Sequence, residues 1–256
     1  MWVFGRLTKE GEDFRPANIL IRLASLDHLS ETEIFELFGE PYTSDVKMAS
    51  GEEVPNSAPR YLVDTADFSR LGPEYLTEKI TLIDFSEAYR MSSPPSDLGI
   101  PEEYLPPEVI FKSEGTIGVG CDIWALACTL YEIRSQIPLF YMPTDEDDHI
   151  SEMVCNFGKL PEPWWSKWKN RAKFFDEDGA HVPSARMMID GKPWSLEASL
   201  DTQREMGGHF GSEKRIFRIP GDEQKVLADL LRTLCVYDTS KRPSVQEVLR
   251  HEWFNI

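Results

Sequence analysis

The stretch CDIWALACTLYEI, residues 121–133, says most about the fold of this chain. Its apolar side chains would lie all round a helix rather than along one stripe, and such a helix belongs in the middle of a core. Capping boxes at Ser30–Glu33 and Ser244–Glu247 start two further helices, and Asp222 is placed to cap another that runs to about Leu234. We therefore predict a mainly α-helical domain.

Two short strands are predicted as well. Residues 18–23 follow a loop and have the composition of a strand, and the β-branched run 80–83 ends at Asp84 and suits a buried strand. Residues 41–60 and 90–107 mix Pro, Ser and Gly without periodicity, so they are predicted to be loops. The fold class expected from these patterns is mainly α with a few short strands.

The composition excludes several classes of protein. The chain has 256 residues, 41% of them hydrophobic and 28% charged, which is typical of one large or two small globular domains. No apolar run is long enough for a membrane helix. The four cysteines form no CxxC pair or regular framework, so we expect buried free thiols in a reducing compartment, cytoplasmic or nuclear.

The charge balance points to basic partners. The chain carries 44 acidic and 27 basic residues, a net charge of −17, which would repel nucleic acid and membrane surfaces. Much of the excess lies at 145–148, at 176–178 and in the region 31–53. These runs are either a solvated acidic surface or a binding surface for an Arg-rich segment, and the sequence leaves both interpretations open.

Two stretches contain oxygen ligands at useful spacings. In Asp13-Phe14-Arg15-Pro16-Ala17-Asn18 a carboxylate and an amide stand five residues apart across a turn that contains proline. Phosphoryl transfer needs such a pair, a carboxylate to accept a hydroxyl proton and an amide oxygen on Mg²⁺. Asp84, at the end of an apolar strand, is well placed to hold a metal ion. Taken alone, each pattern also fits an ordinary cap or turn.

The order of the motifs is more informative than any one of them. Asp13-x-x-Pro-x-Asn18 is followed by Asp84-Phe-Ser, Pro-Pro-Glu108, Asp122-Ile-Trp124 and Lys-Arg242-Pro. In this order they resemble the C-terminal lobe of a protein kinase. The resemblance covers residues 11–256 and leaves 1–10 outside it. It implies an α+β kinase fold of which only the C-terminal lobe is present.

The resemblance also implies roles for individual residues. By position, Asp13 resembles the catalytic Asp that accepts the substrate proton, and Arg15 the cation that faces the transferred phosphate. Asn18 and Asp84 resemble the two residues that hold Mg²⁺ against the phosphates of ATP. Glu108 and Arg242 resemble a buried ion pair that fixes the activation segment to the lobe. Asp122 and Trp124 resemble scaffold residues of the central helix.

Two long inserts narrow the resemblance. Residues 24–78 separate Asn18 from the metal-binding Asp84, where most kinases have a short hairpin, and residues 158–221 follow the central helices. Together they are similar to the small SR-protein-kinase-like enzymes of fungi, in the CMGC group. That group phosphorylates serine in Arg/Ser-rich proteins, which agrees with a net charge of −17.

Several positions depart from the family pattern. Gly11 and Glu12 stand where the family has His-x before the catalytic Asp, Ser86 replaces a glycine, and Pro101 replaces a Thr or Ser. The residues before Asp13 are too few for a Gly-rich loop and a strand Lys, so we expect a truncated lobe that does not turn over ATP alone. The alternative is a catalytically inactive kinase-like module that docks basic peptides.

Overall fold

The computed structural model describes residues 14–68, 71–90, 92–113, 117–141, 144–182, 188–189, 192–206 and 214–256. The chain forms two compact units. Unit 1 comprises Met1–Asn18 and Ile83–Ile256, and unit 2 comprises Ile19–Leu82. Unit 2 contains the whole of the predicted insert 24–78, whereas the second predicted insert, 158–221, belongs to unit 1.

Helices predominate over strands in the described residues, which agrees with the fold class predicted from the sequence. The helices are α1 (Glu31–Phe38), α2 (Pro107–Ile110), α3 (Val119–Ser135), α4 (Glu146–Phe157), α5 (Trp164–Lys167), α6 (Leu196–Asp201), α7 (Gly221–Leu234) and α8 (Val245–Val248). The strands are β1 (Ile19–Leu23), β2 (Thr43–Asp45), β3 (Tyr61–Val63), β4 (Leu76–Leu82), β5 (Met188–Ile189), β6 (Lys192–Pro193), β7 (Arg204–Met206) and β8 (Arg215–Phe217).

Helix α3 lies at the centre of unit 1, as its all-round apolar sequence predicts. Trp124, Ala127 and Tyr131 have no exposed surface, and the helix packs against the apolar face of α7. The largest cluster of buried side chains joins these two helices to α6. A core of this kind stabilises the unit chiefly by removing apolar area from water.

A second apolar cluster is built from the Trp-rich part of the predicted insert 158–221. Trp164, Trp165 and Trp168 are buried with Phe174 and Phe175. The rings meet edge to face, stacked or tilted, with centroid separations of 5.6 to 6.0 Å. This part of the insert is therefore an extension of the core of unit 1, not a solvated loop.

The start of α7 differs from the prediction. The N-cap residue is Pro220, with no side-chain cap, and Asp222 lies inside the first turn. Its carboxylate there interacts favourably with the positive end of the helix dipole, which explains why an acidic residue is tolerated at this point. The predicted end at Leu234 is correct.

Unit 2 contains two antiparallel pairs of strands. Strand β1 pairs with β4, and β2 pairs with β3, so the prediction that 41–60 is entirely loop is wrong at Thr43–Asp45. Helix α1 begins at the predicted capping box of Ser30 and Glu33. The prediction of a buried strand at 80–83 is also wrong, because Ile80 and Ile83 are 47% and 40% exposed. Among the described residues β4 has one strand partner, and a two-stranded ribbon cannot bury both of its faces.

The thiols agree with the prediction of free cysteines. Cys121, Cys128 and Cys235 are buried, Cys155 is half-buried, and none is in a disulfide. Burial raises the pKa of Cys121 and of Cys155 to about 12, so both remain protonated at neutral pH. In the part of the chain that the structure describes, no helix combines the length and the apolarity needed to cross a bilayer.

His149 on α4 should make the stability of the protein sensitive to acid. Its ring is 2% exposed and lies against Phe140, and burial lowers its pKa to about 4 from 6.5. Because the folded-state pKa is depressed, the unfolded chain binds a proton first as the pH falls. The stabilisation is complete above pH 6.5 and is lost towards pH 4. Between pH 7.5 and 5 we expect this residue to cost about 2 kcal/mol of unfolding free energy.

Urea unfolding of His149→Gln and of the wild type at the two pH values measures this difference. His149→Gln should show the smaller loss, while His28→Gln, which alters an exposed histidine, should follow the wild type. Equal pH dependence in all three proteins would contradict the prediction.

Candidate active site

The loop that carries the first predicted ligands is held on the central helix. Pro16–Asn18 form a 3-10 turn in which the Asn18 N–H donates to the Arg15 carbonyl oxygen at 2.9 Å. The buried hydroxyl of Thr129 on α3 donates to the Phe14 carbonyl oxygen at 2.8 Å. Asp13, the predicted catalytic residue, lies outside the described residues. The hydrogen bond from Thr129 therefore anchors Phe14, the residue that directly follows Asp13.

Thr129 is a site residue that sequence reasoning did not identify. It is fully buried within the otherwise apolar run 123–131 of α3. A buried hydroxyl needs a hydrogen-bond partner, so a threonine within that run was the available signal. What the sequence could not supply was the identity of the partner, which is 115 residues away.

The structure brings the chain segments of Asn18 and Asp84 together. The Ile83 N–H donates to the Asn18 carbonyl oxygen at 3.0 Å, so the residue before Asp84 lies beside Asn18. Asn18 is 7% exposed, whereas Asp84 is exposed. Asp84 has φ of 62°, a left-handed conformation that is uncommon for a residue other than glycine. Its side-chain Oδ1 accepts a hydrogen bond from the Ser86 hydroxyl at 2.7 Å.

These donors suit a hard divalent cation. One amide side chain and one carboxylate are oxygen donors, and Mg²⁺ is commonly bound by one or two such groups, with phosphate and water completing its octahedron. In the described ranges no three His, Cys, Asp or Glu side chains form a self-contained metal site. The donor set therefore fits an ion that arrives with a phosphate ligand better than a structural metal.

Glu108 and Arg242 form a buried ion pair in unit 1. The two guanidinium N–H groups donate to the two carboxylate oxygens at 2.6 and 2.8 Å, and the side chains are 0% and 1% exposed. Arg242 also donates to the carbonyl oxygens of Gly120, at 2.7 Å, and of Val236, at 2.9 Å. The pair thus ties the start of α2, the start of α3 and the end of α7 together.

The scaffold residues of α3 lie close to this pair. The guanidinium of Arg242 lies 5.1 Å from the ring centroid of Trp124, which is within cation–π distance. Asp122 lies in the first turn of α3, where its charge favours the helix N-terminus. Trp124 therefore contributes packing and charge stabilisation to the ion pair.

The acidic run at 145–148 is used inside the fold. Asp145 caps α4 by accepting from the Asp148 N–H at 2.9 Å, and Asp148 is itself 4% exposed. Asp147 accepts from the indole N–H of Trp168 at 2.7 Å and from the amide of Asn170 at 2.6 Å. Asp145 and Glu146 are exposed, as a solvated surface requires, whereas the carboxylates of Asp147 and Asp148 bond within the fold, so this run is a solvated surface only in part.

The second run, 176–178, is exposed, which agrees with the interpretation as a solvated acidic surface. Asp176 accepts from the backbone N–H groups of Asp178 and Ala180 at 3.0 and 2.8 Å, which closes a turn. Glu177 pairs with Arg171 at 3.1 Å. Two of the three carboxylates in this run, those of Asp176 and Glu177, therefore bond to nearby residues.

The chain matches the family model "Protein kinase domain" over residues 74–254, well over half of its length. The match includes Asp84, Glu108, Asp122, Trp124 and Arg242, and begins after Asp13, Arg15 and Asn18 in the sequence.

Curated relatives agree with this result. The chain is 29% identical over 156 residues to serine/threonine-protein kinase SKY1 of Saccharomyces cerevisiae, which covers 59% of the chain and 18% of that protein. It is 28% identical over 185 residues to dual specificity protein kinase lkh1 of Schizosaccharomyces pombe, covering 69% and 24%. Serine/threonine-protein kinase SRPK of Physarum polycephalum is 23% identical over 159 residues, covering 59% and 32%.

The aligned part of the chain spans less than half of each of these relatives. The likeness nevertheless extends through the ion pair and the central helix of unit 1, and the family model covers most of the chain. The chain therefore belongs to the protein kinase family, with relatives among the SR-protein-kinase-like and other CMGC kinases.

Proposed function

We propose that this chain contributes the C-terminal lobe of an ATP-dependent protein serine/threonine kinase that acts in the cytoplasm or nucleus. The observation that carries the proposal is the approach of Asn18 to Ile83, the residue before Asp84, through a backbone hydrogen bond of 3.0 Å. This arrangement supplies an amide and a carboxylate from two distant parts of the sequence. Membership of the protein kinase family makes phosphoryl transfer the chemistry for which such ligands are used.

In this proposal Asn18 and Asp84 are the residues that would hold Mg²⁺ when ATP is bound. The ion would neutralise charge on the transferred phosphoryl group and draw the nucleotide into line. Asp84 presents its carboxylate from a left-handed turn, and the Ser86 hydroxyl holds one carboxylate oxygen. Support of a ligand by a neighbouring hydrogen bond fixes its orientation and strengthens metal binding.

Asp13 and Arg15 act on the substrate side. Asp13 orients the serine hydroxyl and accepts its proton, and Arg15 offsets the charge that develops on the phosphoryl group. The hydrogen bond from Thr129 to Phe14 supports this assignment, because it ties the loop to a rigid, buried helix. A catalytic group on such a support keeps its position better than one on a free loop.

The substrate class proposed here is a protein with Arg/Ser-rich segments. The net charge of −17 favours basic partners, and SRPK of Physarum polycephalum is among the relatives. Asp147 of the 145–148 run is already hydrogen-bonded to Trp168 and Asn170, so part of this run is not available to an arginine.

Transfer of radiolabelled phosphate from ATP to an Arg/Ser peptide tests the proposal, using the protein at its natural length. Asp13→Asn should lower the rate by about a hundredfold or more, because general base and orienting contributions are of that size. Glu12→Gln removes the neighbouring carboxylate instead and should keep most of the rate.

An equal loss in both variants would mean that the loop, and not the Asp13 carboxylate, is being measured. Transfer that survives Asp13→Asn would overturn the assignment of Asp13. Absence of transfer by the wild-type protein, together with binding of the peptide, would favour a catalytically inactive module that docks basic peptides.

A further inference from the structure

The hairpin formed by β2 and β3 leaves apolar side chains in solvent. Tyr42 is 70% exposed, and Tyr61, Leu62 and Val63 are 56%, 59% and 55% exposed. Three consecutive exposed apolar residues on one strand exceed the scattered exposure that is normal for a soluble protein. The hairpin belongs to unit 2, which is a separate compact part of the chain.

The outer edge of β3 can accept another strand. The Asp64 N–H donates to the Tyr42 carbonyl oxygen, and the Val46 N–H donates to the Arg60 carbonyl oxygen, each at 3.0 Å. Hydrogen-bonded pairs alternate with open pairs in an antiparallel ladder. The pairs Thr43–Val63 and Asp45–Tyr61 are therefore open, and the backbone groups of Tyr61 and Val63 point away from β2.

The side chains on this edge are suited to arginine. Tyr61 and Val63 on this edge project from the same face of the hairpin as Asp45 on β2, because opposed and alternate residues share a face. A tyrosine ring accepts a guanidinium on its face, and a nearby carboxylate pairs with it. Leu62 projects from the opposite face.

The charge of the insert favours the same kind of partner. Residues 24–78 contain twelve Asp and Glu against three Lys and Arg, a net charge of −9, about half of the charge of the whole chain. A strongly acidic unit repels acidic segments of other proteins and attracts cationic ones. An exposed sheet edge gives such a segment backbone hydrogen bonds in addition to charge.

We propose that the outer edge of β3 binds an extended Arg-rich segment of a partner protein as a third strand. In an extended segment that alternates Arg and Ser, every Arg lies on one face, which can be the face of Tyr61 and Asp45. The Ser side chains then lie on the face of Leu62. The link to substrates rests on the proposed function, but binding itself requires no phosphoryl transfer.

Fluorescence anisotropy with a labelled eight-residue peptide of alternating Arg and Ser, without ATP, tests the inference. Val63→Pro removes an N–H that points outward and leaves the hydrogen-bonded pairs with β2 intact, so it should weaken binding about tenfold. Thr43→Pro is the matched control, because it makes the same change on the outer edge of β2. Binding to Thr43→Pro should stay within about twofold of the wild type.

Three further measurements keep the result interpretable. Tyr61→Ala removes the ring without touching the backbone and should weaken binding several-fold even if Val63→Pro folds poorly. A peptide with four Arg followed by four Ser has the same charge but the wrong period, and it should bind more weakly than the alternating one. Raising the salt between about 50 and 300 mM should weaken binding of the alternating peptide.

Equal binding by the wild type, Val63→Pro and Tyr61→Ala would overturn the inference, as would equal binding of the two peptides. Failure of the docking and failure of the proposed function are distinguishable. Phosphate transfer without edge-dependent binding would leave the kinase proposal standing and remove this one. Binding that depends on the edge of β3, without phosphate transfer, would leave this inference standing and remove the kinase proposal.

Discussion

Replacing Arg242 by Ala is expected to lower the free energy of unfolding by about 3–5 kcal/mol, measured by urea denaturation at neutral pH. The substitution leaves the carboxylate of Glu108, which is 0% exposed, without its cation. A buried charge stripped of its partner costs this much, whereas the intact pair is worth much less than its Coulomb energy because both ions are desolvated. The hydrogen bonds to Gly120 and Val236 are lost as well.

An exposed pair provides the matched control. Arg232 pairs with Glu197, and the two side chains are 45% and 61% exposed. Arg232→Ala should therefore cost no more than about 1 kcal/mol. The double variant Glu108→Ala with Arg242→Ala should be less destabilised than the sum of the single variants, because each single change leaves one buried charge alone. Additive losses, or equal losses for Arg232→Ala and Arg242→Ala, would contradict the prediction.

Local rules predicted α1, α3, α7 and α8, but not α2, α4, α5 and α6. The capping box at Ser30 and Glu33 marks the start of α1, and Gly39, with φ of 83°, ends it. The run 121–133 gave the central helix because an all-round apolar helix has only one favourable location. These signals depend on residues within a few positions of one another, so the sequence contains them in full.

The predictions failed where the burial or the partners of a segment depend on residues far away in the sequence. The run 80–83 has the composition of a buried strand, but it pairs with β1 alone among the described residues and remains exposed. The sequence left the run 145–148 as either a solvated or a binding surface, and it could not show that Asp147 accepts hydrogen bonds from Trp168 and Asn170. No periodicity within either run could reveal these partners.

The site was predictable through the order of its motifs and not through local physics. Glu108 and Arg242 are 134 residues apart, and neither residue shows from its neighbours that it is buried. The resemblance to kinases joined them, and the structure contains the expected ion pair. By contrast, Thr129 and Ser86 contact the site through hydrogen bonds that no motif specified.

Replacing Asp84 by Asn in the protein at its natural length should lower the rate of phosphate transfer to an Arg/Ser peptide by at least about a hundredfold, since Asp84 is proposed to hold Mg²⁺. The substitution keeps the size of the side chain and removes the charge that binds the ion, and phosphoryl transfer depends on that ion to neutralise charge in the transition state. Mn²⁺ binding, measured by electron paramagnetic resonance in the presence of ATP, should weaken in parallel. This second readout does not depend on turnover.

Asp97→Asn is the matched control for this prediction. Asp97 is an exposed carboxylate of the same unit, and its Oδ1 accepts from the Leu98 N–H at 2.9 Å. The change alters the net charge of the protein by the same amount as Asp84→Asn, so it reports any effect of overall charge on ATP or peptide binding. Transfer and Mn²⁺ affinity should stay near the wild-type values. If the two variants behaved alike, the carboxylate of Asp84 would act through bulk electrostatics, and its assignment as a metal ligand would have to be abandoned.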